Sequence, residues 1–319
     1  MSLHQNYLFE NLKDSNNVLI AGIGGGFDIY SGLPFYFNLR KQGKKVHLAN
    51  LSFVRMSDST AKEVFPDCSV VTKDDEKKVM KYYFPEKYLC EYLATIGIEE
   101  KIYCFERTGA KPLKAAYAYL VDKFSIDTII LVDGGTDSLL FGDEEELGTP
   151  IEDIASMKAV YDLKIPKTYL VCLGFGVDTY HGVSHYRFLE NVASLTKNEG
   201  YLGAIQLFKK MDEVQKFLDA IEFANKKMNA YPSIVVNSIA SSLLGFYGDH
   251  HKTFRTYGSK LWINPIMSMY WCFELEKVMK LNQYHHLIGD TTRAEEIRLI
   301  LSKYRSKLTS LRPNLKIPI

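Results

Sequence analysis

One repeated unit constrains this chain more than any other feature: an apolar, β-rich run, a glycine-containing turn, then a helical pattern. NNVLIAGIGGG leads into a helix around 33–42, and KKVHLANLSF reads as the next strand. KIYCFE is followed by RTG and the helix AKPLKAAYAYLVDKF, and DTIILVDGG leads to a helix starting at TPIEDIASMKAVYDL. KTYLVCLGFG leads to DTYHGVSHYRFLENVASL, and PSIVVNS leads to IASSLLGFYGD. Near-continuous apolar strands alternating with helices mark a parallel sheet covered on both faces. The expectation is an α/β fold with a doubly wound, mainly parallel sheet of Rossmann type. NPIMSMYWCFELEKVMKLN and GDTTRAEEIRLILSKYRSKL read as two further helices, the second capped by Asp290 or Thr291. They form a helical extension over 265–319 packed on a single α/β domain spanning 1–319, since no linker, low-complexity tract or fixed-period repeat divides the chain.

Charge and cysteine usage exclude several classes of function. The 39 Lys+Arg and 38 Asp+Glu leave a net charge of +1, with no excess to favour nucleic acid or an anionic membrane as partner. The start, MSLHQNYLFENLKDSNN, lacks the basic and apolar regions of a signal peptide, and no apolar run approaches the ~20 residues of a spanning helix. Cys68, Cys90, Cys104, Cys172 and Cys272 show no C-x-x-C spacing and read as reduced thiols of a cytoplasmic protein, Cys104 and Cys172 as core. The 21 tyrosines and 18 phenylalanines leave room for a homo-oligomer interface.

The first glycine turn, Gly22-Ile23-Gly24-Gly25-Gly26-Phe27-Asp28, lets the chain pass sharply from strand to helix and brings backbone N–H groups close to a ligand. With the helix N-terminus behind it, an anion or phosphate is the natural guest of Gly22, Gly24, Gly25 and Gly26. A turn required only for packing is the plainer alternative. The dinucleotide fingerprint fits in part: its third glycine falls on Phe27, and no acid closes the second strand near Asn50. Asp28 would repel a phosphate unless it holds a divalent cation, accepts from a ligand, or caps the helix.

Two further strand-to-helix turns should open on the same edge of the sheet. Thr149-Pro150-Ile151-Glu152-Asp153 is a helix start, which leaves a long loop from Asp133 to Gly148. In it, Gly134 and Gly135 permit close approach, Thr136 and Ser138 offer hydroxyl donors, and Asp133 and Asp137 can hold a cation or a ribose. The acids of Asp143 to Glu146 read as a solvated flank. In LGFGVDTYHGVSHYRF, a helix from Asp178 would place Asp178, His181 and His185 on one face as metal ligands or acid–base groups. An N-capping Asp with two half-buried histidines is the alternative there. Arg107, at the end of the KIYCFE strand, could clamp a phosphate or carboxylate, with Lys111 one turn on. GDHHKTFR adds Asp249, His250, His251 and Arg255, while His285 and His286 read as surface.

Together GIGGGFD, DGGTDSLLFGDEEELGTPIED and LGFGVDTYHGVSH, in this order, resemble the archaeal and bacterial domain-of-unknown-function family 1152 over nearly the whole chain. That resemblance implies a Rossmann-like fold and no particular activity. The residues themselves point to an enzyme acting on a small anionic metabolite, phosphorylated or nucleotide-like. Glycine backbone and Arg107 would hold the anion, and Asp28, Asp137 and Asp178 a divalent cation such as magnesium. His181, His185 or Asp137 would move the proton in a metal-assisted hydrolysis or group transfer. A nucleotide-dependent oxidoreductase and a non-catalytic ligand sensor are the alternatives.

Overall fold

Strand β1 (Asn17–Gly22) is apolar from Val18 to Ala21 because both of its faces are covered there: Val18 and Ile20 enter one core, Leu19 and Ala21 the other. It belongs to a computed structural model that describes residues 6–78 and 83–317; the first five residues of the polar N-terminal stretch lie outside them. The next strands are β2 (Lys45–Leu51), β3 (Lys62–Phe65), β4 (Cys68–Val71) and β5 (Ile102–Phe105). They are followed by β6 (Thr128–Asp133), β7 (Lys167–Leu173), β8 (Tyr201–Gln206) and β9 (Met269–Glu274).

The helices alternate between the two faces in blocks. Helices α1 (Tyr7–Asn11), α2 (Asp28–Ser31), α3 (Leu33–Lys41) and α4 (Pro85–Thr95) pack into the first core. The second core takes α5 (Ala110–Phe124), α6 (Pro150–Tyr161) and α7 (His185–Lys197). The chain then returns to the first with α8 (Asp212–Lys227) and α9 (Ile234–Leu243), and to the second with α10 (Leu275–Leu281) and α11 (Ala294–Arg305). No described helix is long and apolar enough to cross a membrane.

The fold is mixed α/β around one nine-stranded sheet of order β3-β4-β5-β2-β1-β6-β7-β9-β8. The five central strands, β5 to β7, are parallel, whereas β3, β4, β9 and β8 join antiparallel. The sheet is therefore mixed rather than mainly parallel. What matters for the site is the middle. Gly22 pairs with Asn50 of β2 on one side and Val132 of β6 on the other, so the carboxyl ends of these three parallel strands lie side by side.

Several local expectations are corrected. MYWCFE is strand β9 rather than part of a helix: Tyr270 and Cys272 fill the first core while Trp271 and Phe273 fill the second. A short run buried on both faces has no period to distinguish strand from helix, and here the aromatics favour the strand. The valines of PSIVVNS lie in helix α9, whose N-terminus is capped by Ser233 accepting the Val236 N–H. Neither Asp290 nor Thr291 caps α11; Arg293 precedes it, and Thr291 Oγ1 donates to the Ile288 carbonyl and accepts from Ala110.

The acidic run is not all solvated either. Glu144 is fully buried, accepting from Phe141, Gly142 and Asn191 and paired with Arg312 at 2.7 Å. Arg312 thereby ties the C-terminal segment to the loop after β6.

Candidate functional site

Five aspartates gather at the carboxyl ends of β1, β6 and β7. Asp28 opens α2, Asp133 ends β6, and Asp153 sits in the first turn of α6. Asp137 and Asp178 lie in short 3-10 turns, at Asp137–Leu139 and Val177–His181. Carboxylate oxygens of Asp28, Asp133 and Asp153 all lie within 4.8 Å of one another. Every one of the five is at most 9% exposed.

The bare backbone around them is what lets the carboxylates meet. A Cβ on Gly24 would stand 2.7 Å from Asp28 Oδ2 and 2.8 Å from Asp153 Oδ1. One on Gly134 would stand 2.8 Å from Asp28 Oδ1, and one on Gly135 2.8 Å from Asp178 Oδ2 and 3.0 Å from Asp133 Oδ1. Only Gly25 and Gly26, at φ of 99° and 62°, are required by the turn's own conformation. Gly22 is a packing glycine, since a Cβ there would collide with Asn50.

Nearby donors are already committed to the acids. Asp28 Oδ2 accepts the Gly24 N–H at 2.6 Å, so this amide faces the chain's own carboxylate. Asp178 Oδ2 accepts from the Thr136 N–H at 2.6 Å and its hydroxyl at 3.2 Å. Asp133 Oδ2 accepts from Ser138 Oγ at 2.5 Å, and Asp137 Oδ2 from the Thr149 N–H at 2.7 Å. Thr136 and Ser138, expected to face a ligand, thus position aspartates. Asp153 Oδ1 is the exception: it is buried and has no hydrogen-bond partner among the described residues.

Crowding of this kind changes the acidity. Burial first, then the Asp137 charge, pushes the Asp28 carboxyl up to about 7, against the pull of the Gly24 amide. Burial and the neighbouring aspartates hold Asp133, Asp153 and Asp178 well above the usual carboxylate range. Asp137 is also raised by burial, offset by Thr149 and by the charge of His181.

The aspartates floor a cavity of about 700 Å³ whose rim carries Lys77, His181 and Arg255 and whose walls include Phe53, Tyr180 and Tyr231. His181 is exposed at this mouth. His185 is elsewhere: glycines at 176 and 182, both at positive φ, bracket the 3-10 turn, and the chain restarts as α7 behind the Ser184 cap, so Asp178, His181 and His185 do not share a helix face. Instead His185 packs edge-on against Phe175 and Trp262 and lies 3.2 Å from Thr179 Oγ1, and burial lowers its pKa. Arg107 does not line this cavity; it pairs with Glu152 in the adjoining one. Asn50, at the end of β2, donates to the Gly26 carbonyl and to Glu86, and no acid stands in the ribose-binding place of a dinucleotide fold.

A family model described as a protein of unknown function, DUF1152, matches residues 63–307. The chain belongs to the DUF1152 family. The span matched to DUF1152 carries Asp133, Asp137, Asp153 and Asp178, while the first glycine turn and Asp28 precede it. No curated protein matches the chain.

Asp153 is the residue that sequence reasoning missed. Its place behind Thr149-Pro150 reads as one more acid in a helix's first turn. The long loop from Asp133 returns that first turn to the end of β6, and only this return makes Asp153 a partner of Asp28 and Asp133.

Proposed function

We propose that this DUF1152 protein is a metal-dependent hydrolase or group transferase acting on a small anionic metabolite, its cation held by Asp28, Asp133 and Asp153. The observation that carries the reading is the unpartnered Asp153 Oδ1, buried within reach of two more carboxylates. A buried ionised carboxylate costs several kcal/mol unless it is paired, and like charges at this spacing add to the cost. A hard divalent cation such as magnesium removes both penalties and takes carboxylate oxygens as ligands. Asp137 and Asp178 extend the acidic lining beside it.

In this reading the cation supplies Lewis acidity and an acidified water. Lys77 and Arg255 at the rim attract the substrate's anionic group, and His181, exposed above Asp137, moves the proton. The walls leave Phe53 and Tyr180 more than half exposed, surfaces for a ring of the ligand to stack on. The parallel strands, counted among themselves, run 3-2-1-4-5, and we read this centre as Rossmann type, with the site at its switch point between β1 and β6. Buried free thiols accord with a reducing, cytoplasmic setting.

A panel of phosphate esters, nucleotides and sugar phosphates, assayed with magnesium or manganese and again with EDTA, tests the reading. Turnover that requires the cation and is lost in Asp153→Asn and Asp133→Asn supports it. Turnover undiminished by EDTA or by both substitutions contradicts it.

A further inference from the structure

Beside the acidic cavity lies one of opposite character. It has a volume of about 660 Å³ and is lined by Arg55, Arg107 and Arg298 together with Glu106 and Glu152. The three arginines come from the turn after β2, the turn after β5 and helix α11, elements far apart in sequence. Seven of the chain's nine arginines make a hydrogen bond or an ion pair. The two whose side chains make none among the described residues, Arg55 and Arg298, both line this cavity. Unused guanidinium groups are spread widely on most surfaces, where each is free to pair with a nearby acid. Here they converge on one concave site.

The charge count points the same way. Arg107 pairs with Glu152, and Glu106, which accepts the Met56 N–H at 2.8 Å, has its charge offset by Arg55 beside it, so three guanidiniums against two carboxylates leave one positive charge in excess. What remains to face an incoming group is the unused hydrogen-bonding capacity of the forked donors on Arg55 and Arg298. One carboxylate is matched by one guanidinium, as Glu152 is by Arg107. Two forks of unbonded N–H donors converging on one cavity suit an anion with several oxygens, that is, a phosphate.

The two cavities share a wall. Phe53 and Thr149 line both, and the Phe53 ring lies over the glycine turn, where a Cβ on Gly25 would strike it. A ligand laid across Phe53 would have one end over the aspartates and the other among the arginines.

We propose that the Arg55–Arg107–Arg298 cavity is a phosphate site, which binds the phosphate of a ligand whose reacting end lies over the aspartates. The second half of this statement rests on the metal-dependent reading above; the phosphate site itself does not. The substrate class is thereby narrowed to a phosphorylated compound whose phosphate is a handle distant from the bond that reacts.

Calorimetric titration of the EDTA-treated protein with inorganic phosphate separates the two ideas, because no cation is then present to attract the anion. The wild type and Asp153→Asn should bind phosphate alike. Arg55→Gln/Arg298→Gln, both at exposed positions with no side-chain hydrogen bond to break, should bind it at least about tenfold more weakly. Acetate should compete poorly. Phosphate binding that is unchanged in the arginine double variant, or that occurs only when a divalent cation is added, overturns the phosphate site and leaves the metal reading standing. Arginine-dependent phosphate binding in a protein that takes up no cation upholds the phosphate site and sinks the metal reading.

Discussion

Gly24 donates its backbone N–H to Asp28 across 2.6 Å, so the first amide of the glycine turn is used by the chain's own carboxylate. That contact reverses the expected purpose of the turn. Its bare backbone makes room for aspartates, and the anion-cradle role read from its glycines passes to the cation the aspartates would hold.

Replacing Gly24 by alanine therefore strikes the site before it strikes the fold. The new methyl would press on Asp28 and Asp153 at 2.7 and 2.8 Å. Overpacking of this kind costs about 1–3 kcal/mol. Thermal melting should show a modest loss of stability, while manganese binding by the same sample falls far more. A variant that binds manganese like the wild type would refute the spatial role given to Gly24.

Asp153→Asn should have opposite effects on stability and on binding. Removing one of several mutually repelling, buried carboxylates relieves the metal-free protein. About 1 kcal/mol of relief corresponds to roughly 2 °C in a chain of this size. Melting in EDTA should show the variant at or above the wild type, and melting in saturating manganese should show it below. A variant less stable than the wild type in EDTA would mean that Asp153 is held by something other than a cation.

Stability should also depend on pH in a direction set by the raised carboxyls. The unfolded chain releases the Asp28 proton near 3.8, and the folded chain near 7. Between those values the folded state holds more protons, so its stability declines as pH rises through the window. Asp133, Asp153 and Asp178 push the same way. Metal-free protein should melt progressively lower from about pH 5 to about pH 7.5, and a saturating divalent cation should flatten or reverse the trend, because metal ligands must be ionised. A metal-free melting temperature that climbs across this range would contradict the assignment.

The C-terminal segment supplies a test away from the acids of the site. Arg312→Ala leaves Glu144 buried with only Asn191 and two amides for company. The loss should be about 2–3 kcal/mol, below the usual cost of breaking a buried pair because those donors remain. Chemical denaturation measures it directly, and a change within error of zero would show that Arg312 does not hold the loop.

How far the sequence was legible follows from what each residue answers to. Strands β1, β2, β5, β6 and β7 could be read because both faces are apolar and a glycine ends or follows most of them. The same two-sided burial hid β9, and Val235 and Val236 disguised the start of α9, where Ser233 decides the structure. Asp28, Asp133, Asp137 and Asp178 were visible because each ends or follows a strand at a glycine-bearing turn. Asp153 was not, since its role depends on how a long loop folds back. His185 looked like a neighbour of His181 on a helix that Gly182 does not allow to form. Arg55 and Arg298 carry no motif, and only the tertiary fold brings them into one cavity.

The most direct measurement is a calorimetric titration of manganese into EDTA-stripped, desalted protein at about pH 8, wild type beside Asp153→Asn. Saturable binding by the wild type, weakened at least about tenfold in the variant, is the predicted result. No saturable heat from the wild type up to ~10 mM, or equal affinity in the two proteins, would contradict the claim that these aspartates converge to hold a cation.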